Sequence, residues 1–175
     1  EAAGDEGGGA GLALSEDGTI VAIGAIKNTG GGTGANTGHT RIFQWNSGST
    51  SWDQLGSDID GEAAGDLSGR SVALSSNGTV LAIGAIENDG GVSNSGHVRI
   101  YRLDSGSWVK TGEDIDGLST DDETGLSISL SENGDTLAVG SGNNADHIRI
   151  FDLRLDVTAP TFSSAATNTG GTKVV

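Results

Sequence analysis

Between Gly69 and Ala85 the chain reads GRSVALSSNGTVLAIGA, and two further copies of that line occupy Gly11–Ala25 and Gly125–Ser141. The glycine near the end of each copy, Gly24, Gly84 and Gly140, recurs at spacings of 60 and 56 residues. A unit repeated at such a period cannot bury its apolar face alone. It must stack on its neighbours, as the blades of a propeller or the coils of a solenoid do.

Each copy is two short runs around Asp17-Gly18, Asn77-Gly78 or Asn133-Gly134, dipeptides that tolerate the positive φ angles of a tight hairpin turn. In the middle copy Val72 and Leu74 alternate with Ser71, Ala73 and Ser75, while Leu81 and Ile83 alternate with Val80, Ala82 and Gly84. Large apolar groups therefore line one face of the hairpin and small ones the other, which lets a neighbouring sheet approach closely. A third strand follows in each repeat, at His39–Phe43, His97–Tyr101 and His147–Phe151, rich in β-branched and aromatic residues. A fourth is readable at Ser51–Leu55 and Ser107–Thr111. The expected fold is all-β, with propeller blades of four antiparallel strands.

The predicted organisation is an interblade linker at 1–10, repeats at 11–61 and 62–117, an incomplete third repeat at 118–155, and at 156–175 a linker opening a further domain. Glu-Ala-Ala-Gly-Asp occurs at both Glu1–Asp5 and Glu62–Asp66, so the chain starts inside a linker and an earlier blade is expected before it. Three blades do not close a ring, since propellers have about four to eight. The array is expected to be completed by more of a longer protein or by other copies.

The 31 glycines fall at repeated positions, which turn chemistry explains better than disorder. Nine basic against 24 acidic residues give a net charge of −15, a surface that repels nucleic acid and anionic membranes. There is no cysteine, and no apolar run approaches the roughly 20 residues that span a bilayer. Nucleic-acid partners and membrane insertion are excluded on these grounds.

The histidines all occur as His-x-Arg, at His39/Arg41, His97/Arg99 and His147/Arg149. An active site needs one asymmetric constellation, whereas a pair present in every blade points to packing and charge on a strand face. The acidic linkers carry the sharper chemistry. Asp58, Asp60, Glu62 and Asp66 fall within nine residues, and Glu113, Asp114, Asp116, Asp121, Asp122 and Glu123 within eleven. Closely spaced oxygen donors suit Ca²⁺, with Asp58, Asp60, Glu62, Asp66, Asp114, Asp116 and Asp122 as candidate ligands. The competing reading is a set of solvated turns in which Asp caps backbone N–H groups. The Asn and Gly-rich loops at 28–36 and 88–94 are read as linkers before carbohydrate sites, and Trp45, Trp52 and Trp108 as packing or edge cover.

Gly69-Arg70-Ser71-Val72-Ala73-Leu74 followed by Leu81-Ala82-Ile83-Gly84-Ala85 resembles the FG-GAP repeat of integrin α-chain propellers and of bacterial and algal surface proteins. The third copy, through Ile148-Arg149-Ile150-Phe151-Asp152-Leu153, also resembles a WD-repeat blade, and 156–175 resembles the start of a bacterial Ig-like surface domain. Two departures stand out: the family's Gly-Ala-Pro is Gly-Ala-Ile or Gly-Ser-Gly here, and its calcium hairpin is replaced by an Asp-Gly or Asn-Gly turn. The resemblance implies an extracellular or cell-surface protein that acts structurally, through adhesion or self-assembly with protein partners. The alternative is a calcium-dependent module binding glycans. With no nucleophile triad, His-rich metal cluster or phosphate loop in the sequence, no enzymatic activity is expected.

Overall fold

A computed structural model describes residues 7–29, 34–142, 147–154 and 161–167, and among these every regular element is a strand. The first sheet is β1 (Gly7–Leu14), β2 (Ile20–Ala25), β3 (His39–Asn46) and β4 (Ser51–Gln54), hydrogen-bonded in chain order, with β5 (Ile59–Asp60) also on β3. The second repeats it with β6 (Ser68–Leu74), β7 (Val80–Ala85), β8 (His97–Asp104), β9 (Ser107–Lys110) and β10 (Ile115–Asp116). The third has β11 (Ser127–Leu130), β12 (Thr136–Gly140), β13 (His147–Asp152) and β14 (Thr161–Thr167). All pairs are antiparallel, and the register repeats: Ile23 faces Arg41, Ile83 faces Arg99 and Val139 faces Arg149. The architecture is all-β, three propeller blades. Residues 161–167, assigned from sequence to a following domain, pair here with β13 from Thr167 opposite His147 to Thr161 opposite Asp152. In the first two blades the outer strand is broken, β4 or β9 covering the far half of the third strand and β5 or β10 its start.

The hairpin turn is larger than a two-residue turn. Leu14 pairs with Val21, and Ser15 N–H donates to Ile20 O at 2.8 Å, which leaves four residues in the loop. Only the glycine takes positive φ, +71° at Gly18, +68° at Gly78 and +72° at Gly134. The preceding Asp or Asn instead caps the turn with its side chain. Asp17 Oδ1 accepts from Ser15 Oγ and Thr19 N–H, and Asn77 and Asn133 do the same in their blades. Each serine Oγ accepts in turn from the first N–H of the second strand, at 2.9 to 3.0 Å.

Two cores lie between blades, built as the alternation demands. Ile20, Ala22, Ile42 and Ile59 of the first blade meet Val72, Leu81, Ile83 and Tyr101 of the second. The opposite face of the second blade, Val80, Ala82, Val98, Ile100 and Ile115, meets Leu137, Val139 and Phe151 of the third. Each large side chain so buried contributes about 1.5–3 kcal/mol. Close approach depends on the repeated glycine. A Cβ on Gly24 would lie 2.0 Å from Gly69 O, and one on Gly84 would lie 2.4 Å from Gly125 O. Backbone bonds then tie the turns of successive blades together: Glu16 N–H donates to Ser76 O and Ser76 N–H to Glu132 O, both at 2.9 Å.

Candidate functional site

The three histidines open the third strands β3, β8 and β13, and all are buried. Each sits where its blade meets an acidic linker, but the three junctions are built differently.

At the first, His39 Nδ1 lies 3.8 Å from Asp58 Oδ2 and 3.9 Å from Asp60 Oδ1. Arg41 closes on the same Asp58 oxygen, with Nε at 2.9 Å and Nη2 at 2.8 Å, and Gln54 Nε2 donates to the other at 2.7 Å. The hydrogen bond from Arg41 holds the Asp58 carboxyl below its usual range. Both of its oxygens are spoken for.

At the third, His147 Nε2 is 3.8 Å from Asp122 Oδ2, an oxygen that already accepts Leu118 N–H at 2.9 Å and Thr124 Oγ at 3.2 Å. Asp122 is thus a loop cap. Asp66 is the equivalent cap in the preceding linker, its Oδ2 accepting from Glu62 N–H, Ala63 N–H and Asn88 Nδ2.

The second junction is open. His97 Nδ1 faces Glu62 Oε2 at 4.0 Å and Asp114 Oδ2 at 3.9 Å. Arg99 does not return to its own blade's carboxylate as Arg41 does. Its Nη2 donates to Asp60 O of the preceding blade at 2.8 Å, and its Nη1 lies 3.5 Å from Glu62 Oε1. Lys110 takes Asp114 Oδ1 at 2.5 Å. Burial, reinforced by Arg99, pulls the His97 imidazole below its usual range and outweighs Asp114 and Glu62, so the ring is neutral near pH 7. Burial pushes the neighbouring Asp116 carboxyl up, and the Asp116 carbonyl accepts from Arg149 Nη2 at 2.7 Å.

The seven carboxylates singled out from sequence are thus distributed over three junctions. Asp58 and Asp60 stand beside His39, Asp122 beside His147, and Asp66 and Asp116 serve loop and junction contacts. Glu62 and Asp114 converge with His97, the one group among the described residues with three donor atoms in reach of a metal ion. Sequence reasoning set His97 aside because its pair recurs in every blade. The signal that distinguishes it lies in the linker: Glu62 precedes the second blade where Leu118 precedes the third. A separate cleft of about 610 Å³ lies among the turns, lined by Glu16, Asp17, Ser76, Asn77, Glu132 and Asn133, and holds no imidazole. Trp108 is a junction residue, donating Nε1–H to Leu55 O of the first blade at 3.1 Å, whereas Trp45 and Trp52 cover the outer edge as an edge-to-face pair.

No protein-family model matches the chain, and no curated protein matches it. Solved structures share its fold. A protein from Bacteroides uniformis, provisionally named a 6-phosphogluconolactonase, is 17% identical over 92% of this chain and 41% of its own, with a TM-score of 0.63. A similarly named protein from Bacteroides fragilis is 14% identical over 91% of this chain and 41% of its own, with a TM-score of 0.58. The chain spans about two-fifths of the length of these structures.

These neighbours correct three expectations. The propeller stands, but its solved relatives in shape are lactonase-named proteins and not FG-GAP integrin repeats. The physical reason is that a small residue at the sheet contact, a glycine in the turn and alternating large side chains are what any stacked blade requires, so those residues report blade geometry and not lineage. The reading as a structural adhesion or glycan-binding surface module falls with the resemblance that carried it. So does the expectation of no enzymatic activity, because both of these fold neighbours are named as enzymes.

Proposed function

We propose that these blades belong to a hydrolase that opens the lactone of a sugar acid. The observation that carries the reading is the second junction, where the His97 imidazole and two carboxylate oxygens face one point. Lactone hydrolysis needs an activated water and little else from covalent chemistry, and such a cluster supplies the groups that hold and deprotonate one. Glu62 and Asp114 are partly exposed, so the cluster opens to solvent. The lactonase names of the fold's neighbours supply the substrate class.

The favoured substrate is an uncharged lactone. With a net charge of −15, and with Asp58, Asp60 and Asp116 in the flanking linkers, the field around the site opposes a phosphorylated one. The acidic surface suits a place outside the cytoplasm, and no helix among the described residues is long and apolar enough to cross a membrane.

A pH-stat assay of the 175-residue chain with glucono-δ-lactone and its 6-phosphate tests this. The expected result is acceleration over buffer with the uncharged lactone, reduced by about 10²-fold or more in Glu62→Gln. A rate equal to buffer for both lactones overturns the hydrolytic reading. Preference for the phosphate overturns the charge argument.

A further inference from the structure

The geometry of the second junction is that of a coordination site, and we propose that Glu62 Oε2, His97 Nδ1 and Asp114 Oδ2 bind one divalent first-row transition ion, with Zn²⁺ the first to test. The three atoms lie within 4.8 Å of one another. The two distances from the imidazole, 3.9 and 4.0 Å, are too long for hydrogen bonds. They are close to the roughly 3–4 Å that separates two donors bound to one ion at about 2.0–2.2 Å each.

The surrounding charges leave this gap open. Each carboxylate spends one oxygen on a protein cation and turns the other toward His97. Arg99 takes Glu62 Oε1 and Lys110 takes Asp114 Oδ1, so Oε2 and Oδ2 need not give up a partner to meet an ion. The imidazole is the independent sign. His97 is 1% exposed, its Nε2 has no hydrogen-bond partner, and its Nδ1 makes none either among the described residues. An ion at Nδ1 gives that nitrogen the partner it lacks, while Nε2, on the far edge of the ring, keeps the proton. Its aim, into the space between two carboxylate oxygens, is where a cation would sit.

The other junctions lack the arrangement for identifiable reasons. Arg41 occupies the Asp58 oxygen that faces His39. At the third junction Leu118 stands where Glu62 would, and the Asp122 oxygen near His147 is already a cap. Glu62 is thus decisive twice, as a donor and as the group that, with Asp60 O, draws Arg99 away from Asp114.

The donor set also chooses the ion. Ca²⁺, the ion suggested by the acidic linkers, takes six to eight oxygens, whereas one imidazole with two carboxylates suits Zn²⁺ or Mn²⁺. Three protein donors leave a position for water, the arrangement of a catalytic and not a closed structural site. What the ion does there rests on the hydrolytic reading above. That it binds does not.

The test is calorimetric titration of the EDTA-treated 175-residue chain with Zn²⁺, and separately with Ca²⁺, followed by the visible spectrum with Co²⁺. One Zn²⁺ per chain is expected, with Ca²⁺ at least tenfold weaker and Co²⁺ giving low-symmetry d–d bands. Glu62→Leu, which installs the third junction's residue at a half-exposed position, is expected to weaken Zn²⁺ by tenfold or more. Asp58→Asn at the first junction leaves it unchanged. Asp114→Asn supplies a second probe if the first variant has a lowered melting temperature. Absent saturable Zn²⁺ binding, equal binding by Glu62→Leu, or loss in Asp58→Asn overturns the site. Zn²⁺ binding without lactone turnover would sink the hydrolytic reading and leave the ion site standing; turnover without Zn²⁺ binding would do the reverse.

Discussion

The first and second blades carry the same strands in the same register, and they differ in what lies beside them. In the second blade β7 is buried at all six positions, because the first blade covers one face and the third the other. In the first blade Val21 and Ile23, the counterparts of Leu81 and Ile83, are only half-buried, and Leu12 is 62% exposed where Val72 is 8% exposed. The charged residues diverge in parallel. Arg41 folds back onto Asp58 of its own blade, while Arg99 reaches across to Asp60 O and Glu62. The repeat thus specifies a sheet, and the junction specifies its environment: both the cohesion of the blades and the chemistry at His97 are properties of neighbours.

The sharpest way to break this comparison is through the repeated glycine. Gly84→Ala would drive a Cβ to 2.4 Å from Gly125 O of the next blade, a contact with backbone that no rotamer relieves. Among the described residues Gly140→Ala meets only the Ser127 hydroxyl at such range, and that hydroxyl can turn away. Overpacking costs about 1–3 kcal/mol, and a backbone clash belongs at or above the upper end. At about 2–4 °C per kcal/mol for a domain of this size, Gly84→Ala is expected to lower the melting temperature by about 6–12 °C and Gly140→Ala by less than about 3 °C. Equal losses in thermal melts would mean that the glycine serves backbone conformation within each sheet and not the approach of the next.

That asymmetry also marks what could be read in advance. Turn residues, alternation and period made the blades legible, since Val72, Leu81 and Ile83 on one face and Val80 and Ala82 on the other is the pattern the cores require. The hairpin loop came out longer than a tight turn because Ser15, Ser75 and Ser131 bond across it, a side-chain role that dipeptide statistics do not show. The site was harder to read. Glu62 and His97 are 35 positions apart, and only folding sets the linker of one blade against the third strand of the next. Repetition argued for equivalence of the three histidines, whereas Glu62 and Leu118 make their surroundings unlike.

The arginines give the next largest difference. Arg99 is 6% exposed, bonded to Asp60 O and placed 5.9 Å from the Tyr101 ring centre, so Arg99→Ala removes a charge-assisted bond between blades and buried packing together. A loss of about 2–3 kcal/mol in urea unfolding is expected. Arg41→Ala breaks a pair whose partners are 28% and 31% exposed and is expected to cost about 1 kcal/mol or less. If the two losses are alike, Arg99 is not holding the junction, and the contrast between the blades is one of apolar burial alone.

The smallest effect isolates the pair that closes the first junction. Because Arg41 holds the folded-state pKa of Asp58 below its ordinary value, the carboxylate contributes stability at every pH above about 3.9, the value in an unfolded chain. That contribution is lost as pH falls from there through the lowered folded value, where both states become protonated. Asp58→Asn never had it. The stability gap between the parent and Asp58→Asn is therefore expected to be under about 1 kcal/mol at pH 7, since the pair is partly exposed, and to close as the solution is taken below pH 4. Salt near 1 M should shrink the gap at pH 7 by screening. Measured by urea midpoints across that range, a gap that persisted in acid and in salt would show that Asp58 acts through its hydrogen bond with Gln54, which the amide disturbs at any pH. The two junctions would then differ in shape before they differ in charge, and the openness at His97 would be traced to Glu62 alone.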